Sequence, residues 1–206
     1  MFSAFIFIIS VAAAYLIGSF PTSFIMAKIM KGIDIRQVGS GNAGATNVLR
    51  SVGKIPALVT LVVDIFKGIF VVTALANFFY GFDINFDYDF YRSFLGLTVV
   101  CGHIWSVFLK FRGGKGIATT LGVALGLAPI LLLPSVFVWI IIFSITKYVS
   151  LASIFALITF PVIASIFSRS IYITVLGVVI CMISIYKHRT NIERLIKGQE
   201  NKTVLR

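Results

Sequence analysis

The sequence predicts an all-α fold: a polytopic integral membrane protein of seven transmembrane helices joined by short loops, with 1–206 forming a single transmembrane domain. Composition is the first reason. Of 206 residues, 59% are hydrophobic and only 12% are charged, far from the balance of a soluble domain. The second reason is grouping. Apolar residues run in long blocks at Met1–Ala27, Ile55–Phe79, Phe94–Leu109, Ile117–Ile145, Leu151–Phe167 and Ile171–Tyr186, and in lipid such runs are stable as helices. The third is the placement of charge, which orients the blocks.

In the first block, Ala12-Ala13-Ala14 resembles a signal-peptidase site, but no basic residue precedes the apolar run. Lys28 and Lys31 follow it instead, the order expected of a retained span with its N-terminus outside. Segment Met26–Lys54 adds Arg36, Arg50 and Lys54 and is placed inside. Tyr80–Tyr91 carries Asp83, Asp87 and Asp89 with no basic residue and is placed outside. Lys110–Gly116 returns inside, as does the tail with Lys187, Arg189, Arg194, Lys197, Lys202 and Arg206.

Parity then requires an even number of crossings within Ile117–Tyr186. Four fit if breaks fall near Pro129–Pro134, at Thr146-Lys147-Tyr148 and at Ser168-Arg169-Ser170. The two spans flanking Pro134 are short, and a two-crossing arrangement with a long or re-entrant segment keeps the same parity.

The net charge of +11 follows from cytoplasmic loops rich in Lys and Arg. No DNA- or RNA-binding motif accompanies it, so nucleic acid is excluded as a partner. Cys101 and Cys181 lie in apolar runs, form no CxxC pair, and read as inert thiols. The motif loops hold no metal-ligand cluster, and no cofactor or metal is expected.

The most informative segment is Gly39-Ser40-Gly41-Asn42-Ala43-Gly44-Ala45-Thr46-Asn47, closed by Arg50. Glycines let backbone N–H groups approach a ligand. Ser40, Asn42, Thr46 and Asn47 add hydrogen-bonding groups, and Arg50 adds a planar fork suited to phosphate. Gly39-x-Gly41-x-x-Gly44, with Asp64 20 residues beyond Gly44, also matches a dinucleotide fingerprint. That fingerprint needs a preceding strand, whereas here a membrane helix precedes it.

Gly113-Gly114-Lys115-Gly116 lacks the GK[ST] ending of a P-loop. A lysine among glycines still suits an anion. His188 and Asn191, three apart, share a helix face and both could donate to phosphate. Asp64 and Lys67 are expected to pair inside the membrane. His103 is either a base or a structural hydrogen-bonding group. Ser150 and Ser153 open the sixth span, as caps or facing the site. The three inside segments are expected to meet at one phosphate-binding centre.

Gly18-Ser19-Phe20-Pro21 with Ala27-Lys28, Gly39–Arg50 and Asp64-x-x-Lys67-Gly68 form one series of motifs. Gly102-His103, Phe108-x-x-Phe111-x-Gly113-Gly114-Lys115-Gly116 and His188-x-x-Asn191-Ile192 with Arg194-Leu195 and Gly198 complete it. In these the chain resembles, over essentially its whole length, the bacterial membrane acyl-phosphate:glycerol-3-phosphate acyltransferases. The resemblance implies seven spans in the bacterial cytoplasmic membrane and an active site on the cytoplasmic face. It implies transfer of a fatty acyl group from acyl phosphate to the 1-hydroxyl of sn-glycerol 3-phosphate, the first acylation of phospholipid biosynthesis. A partner enzyme would make the acyl phosphate.

With the loop chemistry, this makes Arg50, Lys115, His188 and Asn191 the candidate catalytic residues. Ser40, Gly41, Asn42, Thr46, Asn47, Gly114 and Ser153 are candidate substrate ligands, and His103, Asp64 and Lys67 candidate supports. Ala43 and Ser106 stand where the family often has proline. The alternative from another class is a membrane transporter for phosphate or an organophosphate, because Gly-interrupted short spans also suit carriers.

Overall fold

The computed structural model describes residues 2–82 and 84–203. Asp83 and Arg206, two of the charges used above, lie outside the described residues. Among the described residues every regular element is helical. The helices are α1 Phe2–Ser19, α2 Thr22–Lys31, α3 Ala45–Ser51, α4 Lys54–Phe70, α5 Ala76–Tyr80, α6 Tyr88–Ile104, α7 Ile117–Leu127, α8 Pro129–Thr146, α9 Val149–Phe167, α10 Ile171–Lys187 and α11 Arg189–Ile196. The chain divides into two compact units, Met1–Leu127 and Ala128–Arg206.

The first unit is held by close backbone approaches at glycine, the usual way membrane helices pack without a hydrophobic driving force between them. A side chain at Gly18 would run into the Val99 carbonyl, and one at Gly102 into the Tyr15 carbonyl, so α1 and α6 meet at small residues. Gly68 and Gly122 do the same for α4 and α7, against the carbonyls of Thr119 and Ile65. The stretch Val71–Leu75 between α4 and α5 widens to a π-helix. Arg92 of α6 donates to Val72 O within that stretch at 2.8 Å and to Gly126 O near the end of α7 at 2.7 Å, tying the distortion to α6 and α7. Ala27, Ile35, Val48, Ala57 and Leu109 form a small apolar cluster with Ala43 of the Gly39–Asn47 loop.

In the second unit α8 and α9 form a hairpin through Lys147, which takes a left-handed conformation at φ 62°. Its N–H caps α8 through Phe143 O at 2.9 Å. Helix α9 packs on α10, which turns by 58° into α11.

Two of the three breaks expected in the later part of the chain fall where the charges placed them, at Lys147 and at Ser168–Ser170. The third falls at the Pro129 edge of the expected Pro129–Pro134 stretch, not at Pro134, the expected division of the two short spans. Helix α7 ends at Leu127, α8 begins at Pro129, and Pro134 lies inside α8. Proline at the first helical position costs no hydrogen bond, so Pro129 starts a helix more readily than Pro134 ends one.

Among the described residues, five stretches are long and apolar enough to cross a membrane: Phe2–Lys31, Lys54–Tyr80, Tyr88–Leu109, Pro129–Thr146 and Val149–Phe167. The bent pair α10 and α11 makes a sixth. Helix α7, at 11 residues, is the piece that seven spans would require, and its length alone does not establish a crossing.

Candidate functional site

The first loop is organised from within. Asp34 accepts from Arg36 N–H at 3.0 Å and pairs with the Arg36 guanidinium at 2.7 Å. The hydrogen bonds from Arg36 hold the Asp34 carboxyl below its usual range. Arg36 lies over the Phe24 ring and reaches Leu109 O at 3.3 Å, tying the loop to the turn that precedes the GGKG segment.

Gly39 and Gly41 adopt left-handed φ values of 60° and 69°, which a side chain would strain. Inside the loop, Asn47 is 2% exposed. Its Oδ1 accepts from Ser40 N–H at 3.0 Å, and its Nδ2 lies 3.0 Å from each of Ile35 O, Val38 O and Asn42 O. The Asn47 amide is therefore occupied by the loop's own backbone. Arg50 stands in the last turn of α3 and is exposed.

The GGKG segment folds back on α6. Gly113 N–H donates to Ile104 O and Gly114 N–H to His103 O, both at 3.1 Å. A side chain at Gly114 would strike His103 Nε2 and approach Ala43 O. Only glycine lets this loop lie against both the histidine and the first loop. Lys115 follows, partly buried. Between these parts is a small, open recess of about 10 Å³ lined by Thr22, Ser23, Asp64, His103, Gly113 and Gly114, among others. The Asp64 carboxylate accepts from Lys67 Nζ at 2.6 Å and from Thr22 Oγ1 at 3.2 Å, with His103 Nδ1 3.8 Å away.

The second unit carries the other motif. His188 sits at the junction of α10 and α11, 2% exposed, with Nδ1 2.7 Å from Ser184 O. Asn191, 4% exposed, donates to Glu200 Oε1 at 2.7 Å. Glu200 also accepts from Ser150 Oγ at 2.9 Å and from Arg194 Nε at 2.7 Å. Burial by itself raises the Glu200 carboxyl, but the bonds from Arg194, Asn191 and Ser150 outweigh it and hold the group below its usual range. Ser153 accepts from Trp139 Nε1 at 3.3 Å.

The description "Glycerol-3-phosphate acyltransferase" names the family model that matches residues 8–198. The chain belongs to that family. A glycerol-3-phosphate acyltransferase of Prochlorococcus marinus (strain MIT 9215) is 40% identical over 197 residues, covering 95% of this chain and 96% of its own. One from Thermoanaerobacter sp. (strain X514) is 40% identical over 195 residues, covering 95% and 94%.

The fold is similar to that of PlsY (YgiH), described as an integral membrane glycerol 3-phosphate acyltransferase. Its glycerol 3-phosphate form gives a TM-score of 0.86 at 38% identity, with 96% of each chain covered. Its lysophosphatidic acid form gives 0.83 at 37%, covering 96% of this chain and 95% of that one. These relatives give no support to the transporter alternative. The chain is thus an integral membrane member of the acyltransferase family.

Within the first unit the structure brings together the first loop, the GGKG segment, His103 and the Asp64–Lys67 pair. Within the second it brings together Asn191, Arg194 and Ser150 around Glu200. Glu200 is the residue that sequence reasoning passed over. Its signal was an acid two residues after Gly198, one of two in a tail otherwise rich in Lys and Arg.

Proposed function

We propose that this acyltransferase-family protein moves a fatty acyl group from acyl phosphate to the 1-hydroxyl of sn-glycerol 3-phosphate. The products are lysophosphatidic acid and inorganic phosphate. The observation that carries the reading is agreement over nearly the whole chain, in sequence and in fold, with an acyltransferase known in both glycerol 3-phosphate and lysophosphatidic acid forms. The loop chemistry supports it: the glycine-rich segments hold Arg50 and Lys115, cations suited to phosphate groups.

In the reaction the 1-hydroxyl oxygen attacks the acyl carbonyl carbon, and the bond from that carbon to the phosphate oxygen breaks. The hydroxyl proton passes to the acceptor's own phosphate, whose second pKa near neutrality suits a base, and inorganic phosphate leaves. Acyl phosphate is already activated, so the protein's work is positioning and charge stabilisation. Arg50, Lys115, His188 and Asn191 serve as catalytic residues. Ser40, Gly41, Asn42, Thr46, Gly114 and Ser153 line the substrates, and Asn47 fixes the loop.

The domain is 1–206, in the cytoplasmic membrane of a bacterium. The topology has seven crossings with α7 as the fourth, the N-terminus outside, and the C-terminus and site in the cytoplasm. A separate enzyme supplies the acyl phosphate.

The test is phosphate release by purified protein given palmitoyl phosphate and glycerol 3-phosphate, with palmitoyl-CoA as the control donor. Release is expected with acyl phosphate and both substrates present, and little transfer with acyl-CoA. Equal rates with the two donors would overturn the donor assignment.

A further inference from the structure

A membrane helix needs a donor for every carbonyl, because lipid supplies none. Between α1 and α2 this ladder is interrupted. Pro21 has no N–H, and Thr22 N–H turns back to Phe20 O at 3.0 Å. Ser19 ends α1, and Phe20 lies between the two helices, so neither carbonyl is placed to continue a regular ladder. Each nevertheless receives a side-chain donor from another element. Ser106 Oγ donates to Ser19 O at 2.5 Å, and Lys67 Nζ to Phe20 O at 2.6 Å.

The groups involved are deeply buried: Ser19 1%, Ser106 2%, Asp64 2% and Lys67 5% exposed. Lys67 Nζ also binds Asp64, and Asp64 in turn accepts from Thr22, the first residue of α2. The Ser19 hydroxyl donates to Gly102 O at 3.2 Å, closing the network onto α6.

An ion pair buried in a membrane segment is costly and weak evidence for stability alone. Here it grips an interruption of the backbone, and that interruption forms one wall of the recess beneath Gly113 and Gly114.

We propose that Lys67, held by Asp64, and Ser106 are positioning residues that pin the α1–α2 interruption from two sides. They fix α2, and so the recess under the GGKG segment, in one register for the acceptor. The kinetic part of this proposal rests on the acyltransferase reading; the structural part does not.

Lys67→Met alone strands the Asp64 charge and is expected to unfold the protein. The Asp64→Asn/Lys67→Met double variant removes both charges at nearly constant volume, and Ser106→Ala removes a single hydroxyl. Spin labels at Ile29 on α2 and Leu58 on α4, both exposed, would be introduced after Cys101 and Cys181 are replaced by alanine. Pulsed electron resonance on the otherwise unaltered chain is expected to give one narrow distance distribution. The distribution should broaden in the double variant and in Ser106→Ala.

In the same variants, still folded by thermal unfolding in detergent, KM for glycerol 3-phosphate is expected to rise about tenfold while kcat changes less than about twofold. Narrow distributions in both variants would overturn the pinning. Broadened distributions with unchanged KM would overturn its role in acceptor binding. If the double variant fails to fold, Ser106→Ala decides by the same readings. If the unaltered protein releases no phosphate, the acyltransferase reading fails, and the distance measurement still decides the pinning.

Discussion

Asn47 and Arg50 lie one helical turn apart and are expected to fail differently when replaced. Asn47→Ala removes the partner of Ser40 N–H and of three loop carbonyls. Each buried group left unsatisfied costs about 1–3 kcal/mol. Thermal unfolding in detergent should show a large fall in stability with activity lost in parallel. Arg50→Lys should remain folded and lower kcat/KM by roughly tenfold or more, because an ammonium cannot reproduce a bidentate fork. Wild-type kcat/KM in a folded Arg50→Lys variant would remove Arg50 from phosphate binding. Sequence marked both residues as polar groups in a glycine loop. It assigned both to the substrate, Arg50 as catalytic and Asn47 as a ligand, because which polar group faces inward depends on how the loop closes.

Glu200 offers a second residue-scale test. Its carboxyl is held below the usual range, so its contribution to stability is full above the ordinary carboxylate value. That contribution is lost as pH falls through the depressed folded value. The unfolding temperature of the wild type should therefore fall in that acidic window. Glu200→Gln keeps an acceptor but not the charge, so it should be less stable at neutral pH with a flatter acid limb. Identical pH profiles for the two proteins would show that the carboxylate does not act in this way.

At the scale of elements, the helix contacts depend on missing side chains. Gly102→Leu would place bulk against the Tyr15 carbonyl and separate α1 from α6. Overpacking of this kind costs typically about 1–3 kcal/mol, occasionally more, and is read as a lowered unfolding temperature. Gly32→Ala is the control, because no atom lies within reach of an added methyl there. Its left-handed φ of 70° limits the penalty to local strain. Hydropathy located the spans because burial in lipid is set by composition along the chain. The same signal could not locate the join between α7 and α8, which depends on where a helix tolerates proline, or the glycine contacts, which depend on partners distant in sequence.

For the whole molecule, orientation is the claim with the most direct test. Cysteine at Asn85 is expected to react with an impermeant thiol reagent added to intact cells, and cysteine at Asn201 is not. The reverse pattern would move the loops to the other side of the membrane. Most of the function was readable because the motif residues are chemically conspicuous against an apolar background. The Glu200 cluster was not, since its members span Ser150 to Glu200 and only the folded chain gathers them.

The short helix α7 bears on the membrane as well as on the protein. Its 11 residues rise about 16 Å, roughly half of a hydrocarbon layer about 30 Å thick. Counted as the fourth crossing, it asks the surrounding lipid to thin, an elastic cost of fractions of a kcal/mol per Å. Turnover in vesicles of short-chain phosphatidylcholine should then exceed that in long-chain vesicles at equal fluidity. Lipids descended from the enzyme's own product would thicken or thin the layer it works in, giving the membrane a mechanical influence on its own growth.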